Sequence, residues 1–159
     1  MIQRIQTLYL TLAVVLLLLM FAFPIANFYS EFGVWQFNML GVRSQVPGEG
    51  AVFSNQIIFT ILPILTIIIS AILLLTIFNY KKRMLQIRLI NLSVFLTLVM
   101  LCGIFFLYVP LIEKQTSTTV DYLSSPSIFF PIIAVIFMLL ASRSIKKDEK
   151  LVRSTDRLR

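Results

Sequence analysis

The sequence predicts an all-α membrane protein: a bundle of four transmembrane helices, a small extracytoplasmic loop resembling a β-hairpin, and a cytoplasmic amphipathic C-terminal helix. Its residues are 58% hydrophobic and only 13% charged, whereas soluble domains carry about 25% charged residues. Four apolar runs approach or exceed the length of a membrane span, and the basic residues gather beside alternate ends of these runs. The 159 residues are expected to form a single integral membrane domain, 1–159.

The apolar runs define the predicted spans. A helix needs about 20 mainly apolar residues to cross roughly 30 Å of hydrocarbon, because each residue advances about 1.5 Å. The expected spans are residues 5–26, 57–79, 88–112 and 126–144. The last run has a short apolar centre, but Ser125 is suited to be its N-cap and Pro126 its first helical residue, which lengthens the helix.

The first run could be mistaken for a secretory signal, and two features favour a retained helix instead. Its apolar stretch is longer than the roughly 7–15 residues of a signal core. The segment "AFPIA" at residues 22–26 lacks a clean small-x-small cleavage site. We therefore expect the first run to remain in the protein as a transmembrane helix.

The basic residues predict the orientation. Of the 14 lysines and arginines, 12 lie before the first apolar run, between the second and third runs, or after the fourth, leaving Arg43 and Lys114 on the opposite side. Because cytoplasmic loops are enriched in basic residues, both termini and loop 80–87 are expected in the cytoplasm, with loops 27–55 and 113–125 outside. The membrane is expected to be a bacterial inner (cytoplasmic) membrane. The net charge of +7 then belongs to the inner face, and topology alone could account for it.

The basic tail, residues 145–159, follows a helical pattern. Placed at about 100° per residue, the cations of this region fall within an arc of about 120°. They are Arg143, Lys146, Lys147, Lys150, Arg153 and Arg157. The opposite side carries Ile145, Leu151, Val152 and Leu158, with Asp148 and Arg159 intruding on it. The pattern predicts an amphipathic helix that lies along the cytoplasmic leaflet.

The outer loop 27–55 is expected to hold a short β-hairpin. Its segment "EFGVWQFNMLGV" is rich in strand-forming residues and is followed by the turn signal "VPGEG". Alternation places Phe32, Val34, Gln36 and Asn38 on one face, with Trp35, Phe37 and Met39 on the other. The second face is expected to rest on the bilayer interface or on the bundle, and the alternative is a recognition patch for an extracytoplasmic partner. The polar loop 113–125 gives no functional signal.

Side chains that carry chemistry are scarce. No ionisable residue lies in the central part of any span, which argues against a proton- or ion-coupled transporter acting alone. The chain has no histidine, and Ser70 and Ser93 have no neighbouring base, so acid–base or nucleophilic catalysis is not expected. Cys102 is expected to be a small buried hydrophobe, and hydroxyls within the spans should bond to backbone carbonyls or neighbouring helices. We expect no enzyme activity, no cofactor and no metal.

Three segments resemble the signatures of one protein family. They are "MIQRIQTLYL" at the start, "KKRMLQIRL" after the second run and "KKDEKLVRSTDRLR" at the end. The family consists of small four-helix inner-membrane proteins of the Bacteroidota and is catalogued as a domain of unknown function (family 4293). The resemblance covers the whole chain and implies four spans in the inner membrane, without an activity, substrate or catalytic residue.

The leading functional hypothesis is a non-enzymatic accessory or scaffold protein that contacts other membrane proteins or anionic lipid through cytoplasmic basic surfaces. The expected contact residues are Lys81, Lys82, Arg83, Arg88, Arg143, Lys146, Lys147, Lys150, Arg153 and Arg157. The partners would be anionic headgroups and a membrane protein or further copies of the chain. Nucleic acid is not expected, because no aromatic residue is interleaved with the cations to stack on bases.

The alternative is an oligomeric transport-type protein for a small neutral or apolar solute. Kinks at Pro63 and Pro131 could shape an outward-facing cleft, and hydroxyl groups lie within the spans. Ordinary packing of a kinked bundle is the simpler interpretation of the same residues.

Overall fold

The computed structural model describes residues 3–30, 33–44, 56–79, 82–116, 119–121 and 125–156. The elements in chain order are α1 (Gln3–Leu19), β1 (Ala26–Ser30), β2 (Gly33–Asn38), β3 (Gly41–Ser44), α2 (Gln56–Phe78), α3 (Arg83–Gly103), a π-helical turn (Ile104–Tyr108), α4 (Val109–Thr116), β4 (Thr119–Asp121), a 3₁₀ turn (Pro126–Ile128) and α5 (Phe129–Asp156). The described elements thus form a mainly helical protein with one small sheet.

Three helical segments in the described ranges are long and apolar enough to cross a bilayer. They are Ile58–Phe78, Arg83–Lys114 and Pro126–Lys150, whereas the apolar part of α1, Ile5–Leu19, is shorter. The prediction of a mainly helical protein is confirmed, and three of its helical segments have the length and composition of membrane spans.

The first helix ends well before the end of the first predicted span, 5–26. α1 has 17 residues, which corresponds to about 26 Å of helix. Pro24 follows shortly after its end and cannot supply the amide N–H that a continuing helix needs. The Ile25 N–H instead donates to the Phe37 carbonyl at 2.7 Å, so the chain enters the sheet here. An apolar composition alone does not distinguish these strand-bound residues from helix.

The apolar parts of α1, α2, α3 and α5 all expose large apolar side chains. Leu8 of α1 is 55% exposed, Ile67 of α2 56%, Phe95 of α3 62% and Ile136 of α5 52%. Many large apolar side chains on one surface would be unfavourable in water, and soluble monomers rarely present contiguous patches of this kind. Lipid is the solvent in which this surface is stable, so the pattern agrees with the apolar lengths of the helices.

The sheet is antiparallel, with strand order β3-β2-β1-β4. β2 and β3 form a hairpin, which confirms the predicted β structure, and Gly41 after the turn has a φ of 141° that suits glycine. The turn falls at residues 39–40; the predicted turn signal "VPGEG" lies outside the described residues. Strands β1 and β4 were not expected. β4 comes from the polar loop 113–125 and pairs with β1, placing Val120 opposite Phe28.

The predicted inner face of the hairpin does pack on the bundle. Phe37 and Met39 are fully buried, and Trp35 packs against the same core. Phe37 stacks on Tyr108 with ring centroids 5.8 Å apart and meets Phe59 of α2 edge-on at 6.1 Å. Of the residues predicted on the other face, Phe32 lies outside the described residues, and the rest are half-buried: Val34, Gln36 and Asn38.

The last helix continues through the boundary at which a separate tail was predicted. α5 runs for 28 residues, about 42 Å, so the predicted surface helix at 145–159 is, as far as Asp156, the end of α5. Ile145 is only 1% exposed and belongs to the core. The Gln6 side-chain amide donates to the Asp148 carboxylate. This part of the tail therefore turns its inner side towards α1 instead of the leaflet.

We predict that Ala141→Leu, at a fully buried position of α5, lowers the free energy of unfolding by about 1–3 kcal/mol, because the well-packed interior must move to admit the larger side chain. Unfolding of purified variants in mild detergent, followed by circular dichroism, measures the change. Ala71→Leu, on the exposed surface of α2, is the matched control and should behave like the wild type. Equal effects of the two substitutions would contradict the packing described here.

Candidate functional site

The start of α3 and the second half of α5 form one groove at the same end of the molecule. Met84 and Ile87 of α3 line it together with Lys146, Glu149 and Lys150 of α5, and its volume is about 340 Å³. The two basic regions predicted separately from the sequence, after the second span and after the fourth, are therefore brought together.

A short connection fixes the α3 side of this groove. The Lys82 N–H donates to the Asn79 carbonyl at 3.1 Å, and the Asn79 side-chain amide donates to the Leu75 carbonyl at 2.8 Å. The buried side chain of Gln86 then reaches back across the connection, and its Nε2 donates to the Thr76 carbonyl at 2.9 Å. These bonds tie the first turn of α3 to the last turn of α2.

The α5 side is fixed by contacts to the other helices. Ile145 lies in the core, and Asp148 accepts the hydrogen bond from Gln6 of α1. Lys146 and Lys150 are four residues apart and both exposed, so they stand one above the other on the same face of the helix. Because their backbone is held in the bundle, the two ammonium groups are presented from a rigid element.

The lining combines apolar and charged groups. Two lysines and one glutamate leave a net charge of one positive unit around a floor of Met84 and Ile87. Arg88 is exposed and lies one helical turn after Met84, and Arg83, which is half-buried, lies one turn before Ile87. The groove is therefore a small amphiphilic site with cations on both of its helices.

The other predicted contact residues are placed as follows. Lys82 is exposed at the N-cap of α3. Arg143 and Lys147 are exposed on α5 but do not line the groove. Arg153 belongs to α5, but its side chain is outside the described part of the structure, as are Lys81 and Arg157 entirely.

Sequence reasoning missed the apolar floor and the acid of the groove. Met84 and Ile87 are three residues apart beside a basic cluster, a spacing that places them on one helix face, but nothing local to them indicates that α5 packs beside this face. Asp148 does not line the groove, but its position did indicate a contact between helices. It interrupts the apolar side of the tail because that side meets Gln6 of α1.

Several buried hydroxyl groups bond to backbone carbonyls, as predicted, whereas the buried Ser93 hydroxyl has no hydrogen-bond partner among the described residues. The Thr66 hydroxyl donates to the Leu62 carbonyl at 2.9 Å, the Ser70 hydroxyl to the Thr66 carbonyl at 2.9 Å, and the Thr97 hydroxyl to the Ser93 carbonyl at 2.8 Å. Each bond stays within its own helix. The Thr66 hydroxyl also lies 3.3 Å from the Met100 Sδ of α3, so it takes part in the packing between α2 and α3.

Two predictions about single residues are corrected. Cys102 is exposed on the outer surface of α3, so the prediction of a small buried hydrophobe is wrong; a thiol is apolar enough to face lipid as readily as a protein core. Ser125 does occupy the N-cap position before Pro126, but its side chain makes no capping hydrogen bond among the described residues.

A model of one protein family, described as "Domain of unknown function (DUF4293)", matches residues 2–158. A search of curated proteins finds no match to the chain.

We predict that Gln86→Ala destabilises the protein by about 1–3 kcal/mol, because it removes a buried hydrogen bond between the ends of α2 and α3 and leaves unfilled volume. The measurement is unfolding in mild detergent. Asn91→Ala removes an exposed amide from the same helix and should have little effect. A Gln86 variant as stable as the Asn91 variant would show that the bond does not hold the connection.

Proposed function

The chain belongs to the DUF4293 family, and we propose that it is a non-enzymatic integral membrane protein that serves as an accessory or scaffold subunit. In this proposal four helices span a bacterial inner membrane, both termini are cytoplasmic, and the sheet lies outside. The basic end of α3 and α5 contacts other membrane proteins or further copies of the chain. The observation that carries the proposal is the convergence of two basic regions on one end of the bundle.

Two features support the contact role of this end. α5 continues beyond its apolar part, and its cations from Arg143 to Lys150 are exposed on a helix held by the core residue Ile145. A rigid element presents binding groups more accurately than a flexible tail. Four spans already anchor the chain in this proposal, so the charged extension is not needed for attachment.

The short α1 is compatible with a fourth span. Its 17 residues give about 26 Å of helix, and the chain adds six residues before β1 begins at Ala26. A slightly short segment is accommodated by local thinning of the bilayer or by flanking side chains. The exposed apolar side chains of α1, such as Leu8 and Val15, support its contact with lipid.

The transport-type alternative has less support. The hydroxyl groups of Ser70 and Thr97 bond within their own helices, and that of Thr66 bonds to Leu62 and lies against Met100 of α3, so these groups are not offered to a passing solute. Pro63 lies inside α2, but Pro131 falls at the third residue of α5, in its first turn, where a missing amide N–H costs little.

We predict the orientation from single cysteines introduced into a Cys102→Ser background. Arg43→Cys, on the exposed part of β3, should react with a membrane-impermeant thiol reagent in intact cells, whereas Lys147→Cys on α5 should react only after the inner membrane is permeabilised. Mass spectrometry of the purified chain quantifies the labelling. Labelling of Lys147→Cys in intact cells, with Arg43→Cys protected, would reverse the proposed topology.

We predict that the combined variant Arg143→Gln, Lys146→Gln, Lys147→Gln and Lys150→Gln loses a membrane-protein partner. The four substituted residues are the exposed cations of α5 that form the proposed contact. Association through complementary charge weakens when one of the two surfaces is neutralised. Cross-linking in native membranes, followed by quantitative mass spectrometry, should recover one and the same membrane protein with the wild type and at least about tenfold less with the variant.

The control for this experiment neutralises the two cations of the opposite side, Arg43→Gln and Lys114→Gln, and should retain the partner. If the α5 variant recovers the same proteins in the same amounts as the wild type, the proposed contact is not made by this surface.

A further inference from the structure

We propose that the groove between α3 and α5 binds the headgroup of one anionic phospholipid of the cytoplasmic leaflet. The proposal rests on the membrane placement proposed above, and it goes further by naming a site and a ligand. It is carried by the geometry and chemistry of five lining residues: Met84, Ile87, Lys146, Glu149 and Lys150.

The groove lies where the apolar surface of the helices changes to a charged one. Along α5, large exposed apolar side chains extend to Leu139, and exposed cations begin at Arg143. Along α3, exposed apolar side chains begin at Met84 and Leu85, next to the exposed Lys82. Such a change in polarity corresponds to the headgroup layer of a bilayer, where lysine side chains keep their stems in apolar surroundings and their charge in water.

The lining matches the two parts of a phospholipid. Met84 and Ile87 offer an apolar floor on the side that continues into the lipid-facing surface of α3. Lys146 and Lys150 lie one helical turn apart, so two ammonium groups can donate charge-assisted hydrogen bonds to a single phosphate. The volume of about 340 Å³ falls in the lower part of the range of small-molecule sites, roughly 300–1,000 Å³, which suits a headgroup whose acyl chains remain in the bilayer.

The charge balance selects the class of lipid. Two lysines and one glutamate give the lining one net positive charge, which complements a headgroup that carries one negative charge, such as that of phosphatidylglycerol. Like charges four residues apart on a helix repel each other, and a phosphate between them relieves this repulsion. Glu149 contributes its negative charge to the lining, so it limits how many anionic groups the groove can hold.

A bound lipid would connect two parts of the chain that are distant in sequence. Its phosphate would sit on α5 and its glycerol and upper acyl chains on α3, beside the connection held by Gln86. The lipid would thus complete the packing between these helices at the end where their own side chains leave a groove.

The test uses the full-length chain in nanodiscs made from equal amounts of phosphatidylglycerol and phosphatidylethanolamine. Native mass spectrometry after release into mild detergent counts the retained lipids. The wild type should keep one phosphatidylglycerol, and Lys146→Gln with Lys150→Gln should lower its retention on the order of tenfold, because each cation near an anionic headgroup contributes to binding.

Three comparisons give this result its meaning. Arg143→Gln with Lys147→Gln makes the same change in charge on α5 but outside the groove, and it should retain the lipid. Met84→Trp fills the groove without a change in charge and should lose it. Glu149→Gln removes the negative charge of the lining and should increase the retention of phosphatidylglycerol.

Several outcomes overturn the proposal. Equal losses from the two double variants would show general attraction to an anionic surface, and unchanged retention in Met84→Trp would place the lipid elsewhere. Loss of lipid in Glu149→Gln, or equal retention of phosphatidylethanolamine by the wild type, would reject the anionic headgroup. Circular dichroism melting of every variant identifies any that are unfolded, and Lys146→Arg with Lys150→Arg, which keeps both charges, should retain the lipid.

Partner recovery from native membranes with the same variants separates this proposal from the proposed function. A variant that loses lipid but keeps its protein partner supports the lipid site alone, and the converse result supports the scaffold role alone.

Discussion

The contact between the first helix and the last is the constraint on which the rest of the structure depends. Buried residues of α1 recur every three or four positions, and α5 places its small residues Ala134 and Ala141 in the same core. Small residues let two helix backbones approach closely, which is how helices associate where no water is available to drive them together. At one end, Gln6 of α1 donates a hydrogen bond to Asp148 of α5. At the other end, β1 follows α1 in the chain and pairs with β4, which lies shortly before α5. The chain is therefore closed at both ends by contacts between its first and last parts.

This closure determines what is presented at each end. At the sheet end, β1 lies between β2 and β4, and Phe37 of β2 packs on Tyr108 and Phe59. At the other end, α5 is held beside the first turns of α3, so apolar residues of α3 and two lysines and a glutamate of α5 line one groove. Between the two ends the polarity is the reverse of that in a soluble protein: hydroxyl groups such as those of Thr66 and Thr97 are buried and hydrogen-bonded, while the outer surface is apolar.

The sequence was informative where one residue's environment depends on its neighbours along the chain. Apolar runs predicted the helices, and alternation predicted the buried side of β2, including Phe37 and Met39. It was less informative where distant segments meet. The polar segment that forms β4 becomes a strand only because β1 is beside it, and a helical projection of the tail does not reveal whether Ile145 meets lipid or α1. The lysines of the candidate site were predicted because their common helix face follows from their spacing along the chain. Its apolar floor was not predicted, because it depends on the packing of α5 against α3.

The π-helical turn between α3 and α4 has a consequence for chain length. Up to Met100 the buried positions of α3 alternate in steps of three and four, but from Met100 they follow in steps of four, through Ile104 and Tyr108 to Ile112. A hydrogen bond from the Val109 N–H to the Ile104 carbonyl closes the turn, which is wider than a regular one. It lies just before Pro110, whose ring crowds the carbonyl of the preceding turn. If the same residues formed a regular helix, each step of four would add about 40° of rotation, so Tyr108 would turn away from Phe37 and the sheet would lose its aromatic support. The wide turn offsets this rotation by admitting one extra residue. The spacing of residues in this span, and not only their hydrophobicity, is therefore fixed by the architecture.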